Sequence, residues 1–185
     1  MYYYPGTLGA EILDIEEVMI PAGLIPNIYR NSWCVAGGWA ACPSLAGDKD
    51  VWIMDPNPLD GLLGMRKAML DHLKDEGFTF TEEGQEQNQH GYPPSFGIIK
   101  IAAITEPDAS HPIHLLGTLI SDPLSLIGTF DISTHQIAIT HDGNVVKGSD
   151  WTPINQPPRV ISVNQGKPTT PARMSKLIDR YRPRL

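Results

Sequence analysis

Val35-Ala36-Gly37-Gly38-Trp39, followed by Gly47-Asp48-Lys49-Asp50-Val51-Trp52-Ile53, is the stretch whose reading decides the fold. Trp33-Cys34-Val35-Ala36 is a short apolar run of the kind that forms a buried strand, and Gly37-Gly38 ends it. After a small-residue segment, two carboxylates spaced i, i+2 open a second apolar run. Residues i and i+2 of an extended strand point to one side, so Asp48 and Asp50 are expected to project together where that strand begins. Adjacent anions repel unless something neutralises them, and a divalent cation held by oxygen ligands is the common solution.

Working outward, Asp55-Pro56-Asn57-Pro58 stops the second strand. Residues 59–76 are expected to be helical. Leu59, Leu62, Leu63, Met65, Met69, Leu70 and Leu73 fall near helical spacing, Arg66, Lys67 and Lys74 lie on the other face, and Gly77 is the stop. Phe78 to Phe80 is expected as a short strand, and Glu82 to Ser95 as a polar loop. Further strands are expected at Ile98–Ala102, His114–Ile120 and His135–Thr140. Pro123 to Ile127 reads as a short helix or turn. His141-Asp142-Gly143-Asn144 is a hairpin turn signal before a return strand, Val145–Lys147. Thr170, with Pro171 at the first helical position, starts a last helix running to Tyr181. Residues 11–20 read as amphipathic helix or strand. The pattern is α/β (α+β) with a mixed sheet flanked by helices in one domain. It divides into an N-terminal segment 1–32 packing on the core, a core 33–150, and a linker with a basic C-terminal helix, 151–185.

With 185 residues, 41% of them hydrophobic, the chain is long enough for one real core. A net charge of −7 argues against a general electrostatic grip on nucleic acid. Half of the 14 basic residues nevertheless sit in the tail, as Arg159, Lys167, Arg173, Lys176, Arg180, Arg182 and Arg184. Cys34 and Cys42 fit neither a disulfide framework nor a zinc knuckle, and read as reduced and buried in a cytosolic setting. No secretory signal or membrane-spanning run is expected, which places the protein in the cytoplasm, a host's if the chain is viral.

The order Gly37-Gly38, Asp48-x-Asp50, helix, and then Phe130-Asp131-Ile132-Ser133-Thr134-His135-Gln136-Ile137-Ala138 resembles the nucleotidyltransferase superfamily. More narrowly it resembles the small stand-alone proteins, frequent in phages, that are similar to the head domain of CCA-adding enzymes and poly(A) polymerases. The likeness covers roughly residues 33–147. It implies a nucleotidyltransferase-like fold and a metal-dependent transfer of a nucleoside monophosphate from an NTP, ATP among them, to a hydroxyl of RNA, protein or a small molecule. It implies Asp48, Asp50 and Asp131 as catalytic ligands of Mg²⁺ (or Mn²⁺), with Asp131 alternatively touching the nucleotide sugar. It also implies Gly37 and Gly38 at the phosphates, and Trp39, Lys49, Arg173 and Lys176 as further nucleotide contacts. Two carboxylate-bridged ions would neutralise the triphosphate and position the attacking hydroxyl. The chain departs from the pattern after the glycines: Trp39-Ala40-Ala41-Cys42-Pro43 replaces the segment in which the CCA-adding relatives carry an Arg-Asp pair, and Ser133 stands where relatives often have Asp. These departures motivate the alternative, an inactive nucleotidyltransferase-fold protein serving as a nucleotide-binding or protein-interaction module.

Other motifs carry less. No Gly-Lys-Ser/Thr follows the glycines, so they are not a phosphate-binding P-loop. His111, His114, His135 and His141 suggest zinc, but each reads better as a singly hydrogen-bonded histidine. Neither cysteine nor Ser44 or Ser133 sits in a nucleophile motif. Trp33, Trp39 and Trp52 read as core, with base stacking by Trp39 as the functional alternative.

Overall fold

The computed structural model describes residues 2–3, 12–13, 20–83, 97–105, 111–154 and 171–182. The expected element at 11–20, the polar loop beyond residue 83, the cap Thr170, and Arg159, Lys167 and Arg184 lie wholly or mostly outside the described residues. The N-terminal strands β1 (Tyr2–Tyr3) and β2 (Ile12–Leu13) pair with each other as an antiparallel ribbon. The remaining elements are β3 (Trp33–Ala36), α1 (Gly38–Ala41), β4 (Lys49–Met54), α2 (Gly61–Asp75), β5 (Phe80–Glu82), β6 (Ile98–Ile104), β7 (Ile113–Thr118), α3 (Pro123–Ile127), β8 (Ile137–Thr140), β9 (Val145–Lys147) and α4 (Pro171–Tyr181).

The fold is mixed α+β: seven strands form one mixed sheet in the order β5-β6-β7-β4-β3-β8-β9, and the described residues include four helices. Only β4 and β7 run parallel; every other neighbouring pair is antiparallel. The parallel register sets Asp50 opposite His114 and Trp52 opposite Leu116.

Strand alternation explains the two cores. Val51 and Ile53 of β4 face α2, whose Met65, Met69, Leu70 and Leu73 are buried against them together with Ile101, Ile104 and Leu115. Trp52 and Met54 face the other way, toward Leu126 and Ile127 of α3 and toward Phe130, whose ring lies 5.8 Å from that of Trp52. Asp122 caps α3 by accepting from the Ser125 backbone N–H at 2.8 Å, and Pro123 takes the first helical position. A third cluster joins Leu177 and Tyr181 of α4 to Cys42, Ile132 and Ile154. Both cysteines are buried and outside any disulfide, and burial pushes the Cys34 thiol up to about 12.

Local corrections are few. The strand expected at Phe78–Phe80 begins at Phe80, and His135 belongs to a 3-10 turn, Ser133–His135, ahead of β8. Of the expected apolar set, Leu59 lies just ahead of α2, and both it and Leu63 within the helix are exposed. Arg66, placed by periodicity on the polar face, is buried instead: its Nε donates to the Glu83 carbonyl at 2.8 Å, and its guanidinium lies 3.7 Å from the Glu82 carboxylate. No described helix is long and apolar enough to cross a membrane.

Candidate metal centre

Asp48 and Asp50 stand where period-2 geometry puts them, on one side at the start of β4. Among the described residues, one group of His, Asp, Glu and Cys side chains is arranged as cation ligands are: Asp48, Asp50 and His114 each offer a donor atom within 4.8 Å of the others. Parallel pairing of β4 with β7 supplies the third member, since Asp50 and His114 are partners in register. His114 Nε2 lies 3.7 Å from Asp48 Oδ2, and its Nδ1 lies 3.6 Å from Glu83 Oε2.

The electrostatics of the group are those of crowded carboxylates. Burial and then the charge of Asp48 push the Asp50 carboxyl up to about 7; His114 and Lys100 oppose the rise, and Glu83 adds to it. Glu83 Oε2 is buried without a hydrogen-bond partner. A divalent ion would relieve the Asp48–Asp50 repulsion, and the donor set of two carboxylates and an imidazole suits one.

Asp131 is not part of this group. Arg173 of α4 engages it with two contacts, Nη2 to Oδ1 and Nε to Oδ2, each 3.0 Å. The expected third carboxylate is thus occupied by a residue independently expected at the nucleotide. Gln136, the other end of the Phe-Asp-x-x-x-x-Gln phrase, has a structural job: its buried amide donates to the Phe130 carbonyl at 3.1 Å and closes the bend that presents Asp131.

Gly37 joins the two halves of the site. Its backbone, at φ 92° and ψ −143°, lies in a region essentially reserved for glycine. A Cβ there would meet Phe130 at 3.8 Å and Asp50 Oδ2 at 3.9 Å. Gly38 has no such requirement, because its Cβ would make only ordinary contacts, 3.6 Å to the His135 ring and 3.8 Å to the Tyr181 hydroxyl. Gly37→Ala should therefore cost about 1–3 kcal/mol and Gly38→Ala well under 1. Urea unfolding of both variants checks this, and equal losses would refute it.

Trp39 and Lys49 have other work. Trp39 is only 4% exposed, inside the α2-side core, and Lys49 Nζ sits 4.3 Å above its ring. Lys49 thus lies on the face of β4 opposite the carboxylates, and Trp39 offers no open face for a base. Lys176 is on the exposed side of α4. Arg180, not singled out as a site residue by its sequence context, lies with its Nη2 3.8 Å from where a Gly47 Cβ would be, next to Asp48.

The other end of α4 is anchored by Tyr181, whose hydroxyl is 2.5 Å from His135 Nε2. Burial, and next the Arg173 charge, lower His135 to about 4, while burial raises Tyr181 to about 12. Both groups are therefore neutral, and the His135 tautomer sets which of them donates. No protein-family model matches the chain, and no curated protein matches it.

Proposed function

We propose that this chain is a metal-dependent nucleotidyltransferase that moves a nucleoside monophosphate from an NTP to a hydroxyl acceptor on RNA, protein or a small molecule. The observation that supports the reading most is the convergence of the Asp48 and Asp50 carboxylates beside the Gly37 bend, at the start of a strand. Asp48 and Asp50 would hold Mg²⁺ or Mn²⁺, which when bound supplies charge neutralisation for a triphosphate. Arg173 and Arg180, carried by α4 to Asp131 and Gly47, are cations able to bind phosphate oxygens. Asp131, fixed by Arg173 and by the bend that Gln136 closes, would then orient Arg173 or accept from the nucleotide sugar.

The Asp131–Arg173 pair also favours a second reading. A carboxylate already neutralised by a guanidinium is not offered to a metal, as it would be in an inactive module that retains the fold. Isothermal titration with each NTP in the presence of Mg²⁺ or Mn²⁺, followed by transfer assays with labelled NTP and total cellular RNA and protein, separates the two. The enzyme should bind at least one NTP and label an acceptor, and Asp48→Ala/Asp50→Ala should lose at least about a thousandfold in labelling. Binding without labelling, unchanged in the double variant, would leave the module reading standing.

A further inference from the structure

An imidazole lies where an all-oxygen magnesium site would present a carboxylate or water. His114 is brought to Asp50 by strand register rather than by chance proximity, and Asp48 closes the group from the loop before β4. The ring is flanked on its far side as well. Glu83 follows directly on β5; its backbone N–H donates to Ile101 at 2.9 Å and its carbonyl accepts from Arg66 at 2.8 Å. This double backbone tether aims the Glu83 side chain at His114 Nδ1. The Oε2 atom that faces the ring is buried and has no hydrogen-bond partner. Buried carboxylate oxygens need a donor, and a proton on His114 Nδ1, 3.6 Å away, is a few tenths of an ångström beyond bonding distance. A proton on Nδ1 leaves the Nε2 lone pair directed at Asp48 and Asp50. Carboxylate–imidazole–metal relays of this kind fix the tautomer and raise the basicity of the ligating nitrogen.

We propose that the cation centre takes its third protein ligand from His114, oriented by Glu83, and so selects a transition-metal dication over Mg²⁺. The inference rests on the metal half of the proposed function and not on turnover. Imidazole favours Co²⁺, Zn²⁺ and, more weakly, Mn²⁺, whereas Mg²⁺ prefers oxygen ligands and keeps its waters. Arg66, buried in α2, belongs to the same device as a positioning residue, because it holds the Glu83 carbonyl.

The test uses the full chain stripped of metal and titrated with Co²⁺ or Mg²⁺ alone, by calorimetry and by the visible absorption of Co²⁺. Co²⁺ should bind at least about 100-fold more tightly than Mg²⁺. His114→Ala should lose about 10–100-fold in Co²⁺ affinity while Mg²⁺ affinity moves less than about threefold, and Glu83→Gln should lose about tenfold for Co²⁺ only. Pulsed electron-paramagnetic-resonance spectra of the Mn²⁺-loaded wild type should show a directly coordinated ¹⁴N, a readout that does not depend on any variant folding. Equal affinities for Co²⁺ and Mg²⁺ with no coupled nitrogen would overturn the inference and leave a magnesium-dependent transferase intact. If neither ion binds wild type more tightly than Asp48→Ala/Asp50→Ala, the metal centre itself falls and the inference with it.

Discussion

Asp50→Asn should raise the melting temperature of the metal-free protein at pH 8 by about 2–8 °C and abolish its saturable binding of divalent ions. Both halves follow from one group. The Asp50 carboxyl titrates near 7 in the native state against a normal value of 3.8. Between those values the native state holds a proton that the unfolded chain has released, so stability falls as pH rises through that window. Above pH 7 the native state carries the full penalty of an ionised carboxylate that is partly buried beside Asp48. Asparagine keeps the shape, removes the charge and recovers about 1–2 kcal/mol of that penalty. Lost with the charge is the ligand. Metal must displace the Asp50 proton, so wild-type affinity should fall up to tenfold for each pH unit below about 7. Thermal melts with and without Co²⁺, in both proteins, provide the measurement. A variant no more stable than wild type without metal would mean that Asp50 is already compensated inside the protein, leaving little for an ion to relieve.

Much of this arrangement was legible in the chain because it is local. The strands Trp33–Ala36 and Val145–Lys147, the short helix Pro123–Ile127 and the end of the last helix at Tyr181 lie where apolar runs, proline and turn residues put them. The shared side of Asp48 and Asp50 is a consequence of strand period alone. What escaped is pairwise and distant. Nothing around His114 marks it as a partner of Asp50, since that relation exists only once β7 docks parallel to β4 in one register. Arg66 sits on the polar stripe of its helix by spacing, and it is buried because residues 82 and 83 of another segment come over it. Asp131 and Arg173 were each expected at the site, 42 residues apart, but local pattern cannot say that two opposite charges will meet each other before they meet a ligand. Trp39 and Lys49 were legible as neighbours of the site, and alternation turned Lys49 to the other face of the sheet.

Tyr181→Phe should cost about 1–3 kcal/mol, because it strips the buried His135 Nε2 of its hydrogen-bond partner, and it should loosen α4 specifically. Burial of His135 against that helix makes it acid-sensitive. His135 titrates near 4 in the native state and at 6.5 when unfolded. As pH falls from about 6.5 toward 4, the unfolded chain gains a proton that the native state refuses, and stability is lost. Asp50 runs the other way over much of the same range, since the native state takes up its proton first. In wild type the two slopes oppose each other and the melting temperature should change little between pH 7 and 5. In Asp50→Asn only the His135 slope remains of the pair, so that variant should lose stability toward pH 5 more steeply, by up to about 1.4 kcal/mol per pH unit for one proton. Amide protection factors within 171–181, which are corrected for the slower intrinsic exchange at low pH, should fall on acidification in both proteins, and at neutral pH in Tyr181→Phe. Because α4 carries Arg173 and Arg180 but none of the three cation donors, its loosening should weaken NTP binding and leave Co²⁺ binding unchanged. Loss of both together would show that the helix supports the metal centre itself, and loss of neither would take Arg173 and Arg180 out of the nucleotide site.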